Sequence, residues 1–290
     1  MSTSADGTGP AVERDNAGNW PKLARQWAQV GPPLRPVAQD VEFCWDAVSE
    51  WMLGRGAPRV LLLGVTPELH RMPWPKGTDF LAVDHTPAMV EAVWPGPKEA
   101  VLCADWLALD LPDGSRDIAL CNGGLHHLAY PQGQAGLVRV LRGILSDGGL
   151  CILRLFTPPA RRESPQAVLQ DLMEGRISNL NILKVRLGAA MTADIEQGVE
   201  LDAVWRALLE AAPDLDGLAA RLGWPAEHMR VIHAYRGEKA HYYYVTVDQV
   251  CGLFCGEPGG FELIRVRVPG YELGEQFPTV VLKRRARREA

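Results

Sequence analysis

The sequence predicts an α/β fold built on a mostly parallel sheet of seven strands, with helices on both faces and an antiparallel last strand. Short apolar runs recur along the first half of the chain, and each ends in a small or polar residue; examples are Arg59–Gly64, Leu81–Asp84 and Asp117–Asn122. Segments with apolar residues at helical spacing separate these runs. Because parallel strands are buried on both faces and need long crossovers, this alternation indicates a parallel sheet with right-handed connections.

The segment before the first strand is predicted to contain a tail and two helices. Residues 1–19 are small, polar and rich in glycine, which is typical of a flexible tail. Apolar residues at helical spacing predict a first helix over 20–30 and, after a proline-rich break, a second helix over 39–53. These helices and the cofactor-binding sheet are predicted to form one unit over residues 20–156.

The remaining elements follow in order along the chain. Strands are predicted at 59–64, 79–84, 99–103, 116–122 and 149–156, with helices between them, one of which spans 132–145. Residues 157 to about 237 show helical periodicity and no convincing strand, which predicts a helical insertion or substrate cap over residues 157–245. Residues 246–290 should supply a last helix and an antiparallel hairpin of strands at 261–268 and 279–283. The basic cluster at 283–288 is interpreted as a solvated tail.

Composition excludes several classes of function. The formal charge of −5 over 290 residues gives no general attraction to nucleic acid, so a small-molecule partner is favoured. No apolar run is long enough to cross a membrane, and the start lacks the order of a secretory signal, so a cytoplasmic location is expected. The sequence leaves the oligomeric state open.

The six cysteines predict neither disulfides nor a metal site. Cys103, Cys121 and Cys151 fall in predicted central strands, where buried thiols behave as small apolar side chains. Cys251 and Cys255 lie one helical turn apart but have no second pair of ligands, so packing is the favoured interpretation and no metal is expected.

Polar residues at the ends of the predicted strands point to a ligand at one edge of the sheet. After Gly64, the residues Thr66, Pro67 and Glu68 suit either a helix start or a contact to a ligand carboxylate, and the sequence does not separate the two. Asp84 ends the second strand, where an acidic side chain accepts hydrogen bonds from ribose hydroxyls. We expect Thr86 to cap the following helix, which leaves Asp84 free for the ligand.

Two further segments fit the same edge. Asp105 and Trp106 offer a carboxylate for an exocyclic amine and a ring face for a planar base such as adenine, or else a loop aspartate and a core tryptophan. His126 and His127 follow the fourth strand. One of the two histidines is expected to face the reacting group, because adjacent side chains normally diverge.

These motifs together resemble the class I S-adenosylmethionine-dependent methyltransferases, which have a Rossmann-like sheet. The resemblance rests on Val60–Gly64, on Val83-Asp84 with Met89, on Ala104–Trp106 and on Asp117–Leu128, with Leu145–Leu153 similar to the turn into the fifth strand. It covers residues 59–156 and resumes in 261–283.

The resemblance implies S-adenosyl-L-methionine as the cofactor and assigns roles to individual residues. It implies that Gly64 lies against the methionine part, that Asp84 and the neighbouring His85 lie at the ribose, and that Asp105 and Trp106 hold adenine. Asn122 would then border the reacting methyl group.

The expected reaction is methyl transfer to a small acceptor with release of S-adenosylhomocysteine. His126 is the candidate base or orienting group, and His127 and Tyr242 are candidate substrate contacts, with core packing an equal alternative for the segment that holds Tyr242. Two other functions stay open. The segment around Gly64 lacks three spaced glycines, which suits a non-catalytic partner protein with an altered cofactor pocket. The turn at Gly64 and the acidic Asp84 at the end of the second strand also suit a nicotinamide-dependent oxidoreductase.

Overall fold

A computed structural model of the chain describes residues 19–286. The predicted tail therefore lies outside the described residues, apart from Asn19. Within this range the strands are β1 (Arg59–Leu63), β2 (Asp79–Asp84), β3 (Val101–Cys103), β4 (Arg116–Asn122), β5 (Leu145–Arg154), β6 (Val199–Glu200), β7 (His241–Tyr242), β8 (Phe261–Arg267) and β9 (Thr279–Arg284).

The helices of the described range alternate with the strands up to β5 and then form a group of their own. They are α1 (Trp20–Arg25), α2 (Ala38–Met52), α3 (Pro67–His70), α4 (Pro87–Val93), α5 (Gln132–Ile144), α6 (Pro165–Met173), α7 (Leu180–Met191), α8 (Leu201–Ala211), α9 (Leu215–Leu222), α10 (Ala226–Arg230) and α11 (Val247–Cys255). The helix predicted over 20–30 is divided, because a short 3-10 turn at Trp27–Gln29 follows α1.

Seven strands form one sheet in the order β3-β2-β1-β4-β5-β9-β8. The pairs among β1 to β5 are parallel, whereas β9 is antiparallel to both β5 and β8. The predicted fold class is thus confirmed, including the antiparallel end of the sheet. The bounds of β2 and β4 also match those predicted, since apolar runs with clear polar ends define both strands.

The sheet is buried on both faces, as its apolar strands require. Successive side chains of a strand point to opposite faces. Leu61 and Leu63 accordingly pack with residues of α5 and α11, while Val60 and Leu62 pack with residues of α2 and α4. A third apolar cluster consists mainly of residues of the helical insertion but also includes Leu23, Val30, Phe156 and Phe277, so the insertion packs against the N-terminal segment and the edge of the sheet.

Three local predictions are wrong. Cys103 is exposed, because β3 is an edge strand and not a central one. A short strand does occur in the insertion, since Val199 pairs with Tyr242 in a separate two-stranded ribbon of β6 and β7. Arg284 is buried rather than solvated, and its guanidinium donates to the carbonyl of Arg142 and pairs with Asp147.

A buried ion pair fixes the N-terminal segment to the sheet. Arg154, the last residue of β5, lies 3.1 Å from the carboxylate of Asp40 in the first turn of α2, and both side chains are almost fully buried. The guanidinium also donates to the carbonyl of Pro33 at 2.7 Å and to the hydroxyl of Tyr271 at 2.8 Å. The Tyr271 hydroxyl in turn donates to Asp40 at 3.0 Å. Residues 33–40 are therefore held at the edge of the sheet where the parallel strands end.

No helix of the described range is both long enough and apolar enough to span a membrane.

Candidate functional site

The predicted site residues do gather at the carboxyl edge of the parallel strands. β2 ends at Asp84 and β4 at Asn122, and both strands flank β1, which ends next to Gly64. In sheets of this kind the edge beyond the carboxyl ends is where ligands bind. Helix α1 packs against α4, and its first residue, Trp20, has its ring centroid 5.0 Å from that of His127. The edge is thus partly covered by the N-terminal helix.

Asp84 lies at the predicted position but has a local partner as well. Its Oδ1 accepts a hydrogen bond of 2.9 Å from the backbone N–H of Thr86, whereas the Thr86 side chain makes no capping hydrogen bond. The expectation that the Thr86 side chain caps the helix and leaves Asp84 free is therefore wrong: Thr86 occupies the N-cap position without a side-chain bond, and Asp84 accepts from the N–H two residues further on, as an aspartate in a turn commonly does. The carboxyl group is buried, which raises its pKa, with the Thr86 N–H and His85 acting in the opposite direction. His85 itself is exposed.

Asp105 and Trp106 take different orientations. The Asp105 carboxylate is exposed and accepts from the N–H of Leu107 at 2.9 Å, which caps a short 3-10 turn. The Trp106 indole is half-buried, and its Nε1 donates to the carbonyl of Val83 at 2.7 Å. This bond fixes the ring at the edge of the sheet, beside the end of β2.

The ring of Trp106 lies over the glycines that follow β1 and β4. Gly64 has a φ of +89°, and a Cβ there would lie 3.9 Å from the indole. At Gly124 a Cβ would lie 2.6 Å from the ring, and at Gly123, where φ is +61°, it would lie 2.7 Å from the ring of Phe156. Only glycine fits the last two positions. A ligand that approaches Gly64 would therefore contact Trp106 as well.

Asn122 is tied to the buried ion pair. Its Oδ1 accepts a hydrogen bond of 3.1 Å from the guanidinium of Arg154. The amide that the resemblance places beside the reacting methyl group is thus oriented by the same arginine that holds Asp40.

His126 and His127 lie in one aromatic cluster, and the expectation that their side chains diverge is wrong. Their ring centroids are 4.0 Å apart, because both residues belong to a tight 3-10 turn. The Tyr242 ring contacts both, at 4.6 Å from His126 and 4.8 Å from His127. His126 also stacks on Phe156 at 4.5 Å, and a backbone hydrogen bond from Tyr243 to its carbonyl connects the turn to β7.

Both imidazoles are neutral at pH 7. Burial lowers the pKa of His126 well below its usual value, with His127 adding to the effect. Burial also lowers the pKa of His127 to about 3, with a smaller contribution from His85. Nδ1 of His126 is buried and finds no hydrogen-bond partner among residues 19–286. A buried polar atom without a partner is uncommon in a folded protein, and a role in binding or catalysis is one explanation for it.

The depressed pKa values predict that acid destabilises the protein. Below about pH 6.5, the ordinary pKa of histidine, the unfolded chain binds protons that the folded chain does not. The free energy of unfolding should therefore fall as the pH drops from about 6.5 toward 3, by up to about 1.4 kcal/mol per pH unit for each histidine. Urea unfolding at pH 7.0, 6.0 and 5.0 measures this slope. A His127→Gln variant with an unchanged slope would contradict the assignment.

Sequence reasoning missed two residues behind this cluster. Lys184 in α7 is 3% exposed, and its Nζ lies 4.6 Å above the ring of Tyr235. Tyr235 is buried too, and its ring lies 6.1 Å from that of Tyr242. The sequence does contain a signal for Lys184, because this lysine lies within the largely apolar run Leu180–Met191, where a charged residue is uncommon.

The residues at the edge fit an adenosyl cofactor in part. Asp84 offers a buried carboxylate with one oxygen beyond the Thr86 contact, Trp106 offers a fixed ring, and His126 offers an unpartnered nitrogen. These are groups that hold ribose, a planar base and a reacting polar atom, respectively. For a metal ion, in contrast, no group of three or more His, Cys, Asp or Glu side chains comes together between residues 19 and 286.

Comparison with known proteins gives a family for the middle of the chain. Residues 63–153 match the family described as "Methyltransferase domain". A search of curated proteins finds no match.

Similarity to solved structures covers nearly the whole chain at low identity. A Rhodobacter sphaeroides protein, described provisionally as a Zn-dependent alcohol dehydrogenase, aligns over 95% of this chain and 100% of its own with a TM-score of 0.60 and 12% identity. The N-methyltransferase NodS from Bradyrhizobium japonicum WM9, in complex with S-adenosyl-L-homocysteine, aligns over 92% and 98% with a TM-score of 0.50 and 9% identity. At such identities the two likenesses show a common fold.

Proposed function

We propose that the protein is an S-adenosylmethionine-dependent methyltransferase that methylates a small acceptor enclosed between the sheet edge and the helical insertion. The match of residues 63–153 to the family described as "Methyltransferase domain" supports this proposal. The observation that carries the proposal is the position of His126. It follows β4 at the edge where Asp84 ends β2, it is buried, and its Nδ1 has no partner within the described range.

In this proposal the cofactor is held by residues of the β1, β2 and β3 ends. Asp84 accepts hydrogen bonds from the ribose hydroxyls, with His85 beside it at the exposed rim. Trp106, fixed by its bond to Val83, lies against the adenosyl group, and Asp105 reaches the exocyclic amine. Gly64 gives the backbone room to approach the methionine part.

When bound at this edge, S-adenosylmethionine would supply a methyl group on a positively charged sulfur. The acceptor lone pair would bond to the methyl carbon in line as the carbon–sulfur bond breaks and S-adenosylhomocysteine leaves. His126 accepts a hydrogen bond from the acceptor and orients its lone pair. Because burial keeps the pKa of this imidazole well below the usual value, an orienting role suits it better than that of a strong base. His127 and Tyr242 form the adjoining wall, and Asn122, oriented by Arg154, borders the transfer point.

A cavity in the insertion supports a small acceptor. It has a volume of about 240 Å³ and is bounded by Pro158, Ala189, Thr246 and Tyr244 among others. Tyr244 connects this cavity with the histidine, since its ring lies parallel to that of His126 with 6.2 Å between the centroids. The volume is below that of most ligand pockets, which are about 300–1,000 Å³, and so suits only a small acceptor.

The cofactor assignment is tested by replacing Asp84. Asp84→Ala is expected to weaken binding of S-adenosylmethionine by about 1–3 kcal/mol, or roughly 5–150-fold, through loss of charge-assisted hydrogen bonds. Isothermal titration calorimetry with the natural cofactor, and separately with NADH, measures the effect and addresses the oxidoreductase alternative.

Asp79→Ala is the matched control, because Asp79 is an exposed aspartate at the opposite end of the same strand. This variant should bind the cofactor with unchanged affinity. Equal affinity of the Asp84 variant and the parent protein would refute the ribose assignment. Tight binding of NADH in place of S-adenosylmethionine would refute the proposed reaction.

A further inference from the structure

The helical insertion contains a buried cation that the proposed reaction leaves unexplained. Lys184 lies in the middle of α7 and is 3% exposed. Within residues 19–286 no carboxylate pairs with it, and its ammonium group rests on the ring of Tyr235. Burial of an ammonium group without a counter-ion is costly, so lysines are rarely fully buried unless they are paired or used.

The surroundings of Lys184 connect it to the proposed transfer site. Tyr235 adjoins Tyr242, which contacts His126. One turn further along α7, Gly188 lies so close to Tyr244 that a Cβ would stand 2.5 Å from the tyrosine hydroxyl. The face of α7 with Lys184 and Gly188 thus packs on the same tyrosines that surround the histidine.

We infer that Lys184 binds the carboxylate of an anionic, aromatic acceptor at this site. The missing charge is supplied by the ligand, and the tyrosine rings provide flat apolar surfaces for its ring. The inference rests on the proposed function, since it names the class of acceptor for the same site. The pKa of Lys184, which burial lowers to about 8, leaves most molecules charged at pH 7 and available to an anion.

Benzoate and benzamide are suitable probes, because they have nearly the same shape and differ in charge. Benzoate is expected to raise the melting temperature of the parent protein and to bind in calorimetry, whereas benzamide should do neither. Lys184→Met should lose at least tenfold in benzoate affinity, and Lys184→Arg should retain the response. Lys98→Met, which removes an exposed lysine elsewhere, serves as the matched control and should behave as the parent protein.

The same samples are titrated with S-adenosylmethionine, which separates the two proposals. Unchanged cofactor binding in Lys184→Met, together with the loss of benzoate binding, supports the inference. Three results would overturn it: no benzoate binding to the parent protein, equal benzoate binding by Lys184→Met, or equal binding of benzamide. Failure of every variant to bind S-adenosylmethionine would instead refute the proposed function.

Discussion

Asp40→Asn is expected to lower the free energy of unfolding by about 3–5 kcal/mol, because it removes one partner of a fully buried ion pair. The guanidinium of Arg154 would keep its charge in a buried site, with the carbonyl of Pro33, the amide of Asn122 and the hydroxyl of Tyr271 as its remaining partners. The backbone N–H of Val37, the residue before α2, donates to the Asp40 carboxylate and would also lose its charged acceptor. Urea unfolding followed by circular dichroism gives the free-energy difference.

Two further variants make this result specific. Asp46→Asn changes a carboxylate in the same helix that pairs with Arg267 at the surface, and it should cost less than about 1 kcal/mol. The double variant Asp40→Asn, Arg154→Met removes both charges and should recover part of the loss. A cost below 1 kcal/mol for Asp40→Asn alone would show that the pair contributes little to holding the N-terminal segment.

Much of the sheet could be predicted because its strands carry their own signals. β1 and β4 each have an apolar, buried centre and end next to glycine or at a polar residue, so their positions and their common edge follow from local sequence. β3 is shorter and lies at the edge, where its apolar residues Leu102 and Cys103 are exposed, so the apolar pattern alone wrongly predicts an interior position for Cys103. The register of a strand and its place at the centre or edge of the sheet depend on pairing between segments that are distant in sequence. Local periodicity carries no information on this pairing.

The site was predicted in its residues but not in its contacts. Asp84 and the histidines were found because polar residues at strand ends have a recognisable position. That Asp84 holds the Thr86 N–H, and that the two imidazoles lie 4.0 Å apart, depends on turn geometry that their spacing does not determine. Lys184 and Tyr235 are separated by 51 positions along the chain, and their contact depends on how the helices of the insertion pack on one another.

The buried pair and the histidines are linked through Asn122 and its neighbours. Arg154 orients Asn122 and lies over the ring of Phe156, on which His126 stacks. A change at Arg154 would therefore affect both stability and the position of His126. To isolate the histidine, its own side chain has to be changed with the stack left intact.

His126→Phe meets that requirement and is expected to reduce turnover about 100-fold or more, since a positioned acid-base or orienting group typically contributes 10²–10⁴-fold. The phenyl ring can keep the stacking on Phe156 and the contact with Tyr242, so the cofactor affinity should change less than twofold. Release of S-adenosylhomocysteine, measured with an acceptor found by screening small carboxylates and phenols, gives the rate, and calorimetry gives the affinity.

His127→Phe is the matched control, because it makes the same change one residue away, where the side chain contacts Trp20 at the outer side of the cluster. A smaller loss of turnover in His127→Phe than in His126→Phe would assign the orienting role to His126. Full turnover by His126→Phe would remove His126 from the mechanism and leave its unpartnered Nδ1 as a feature of packing.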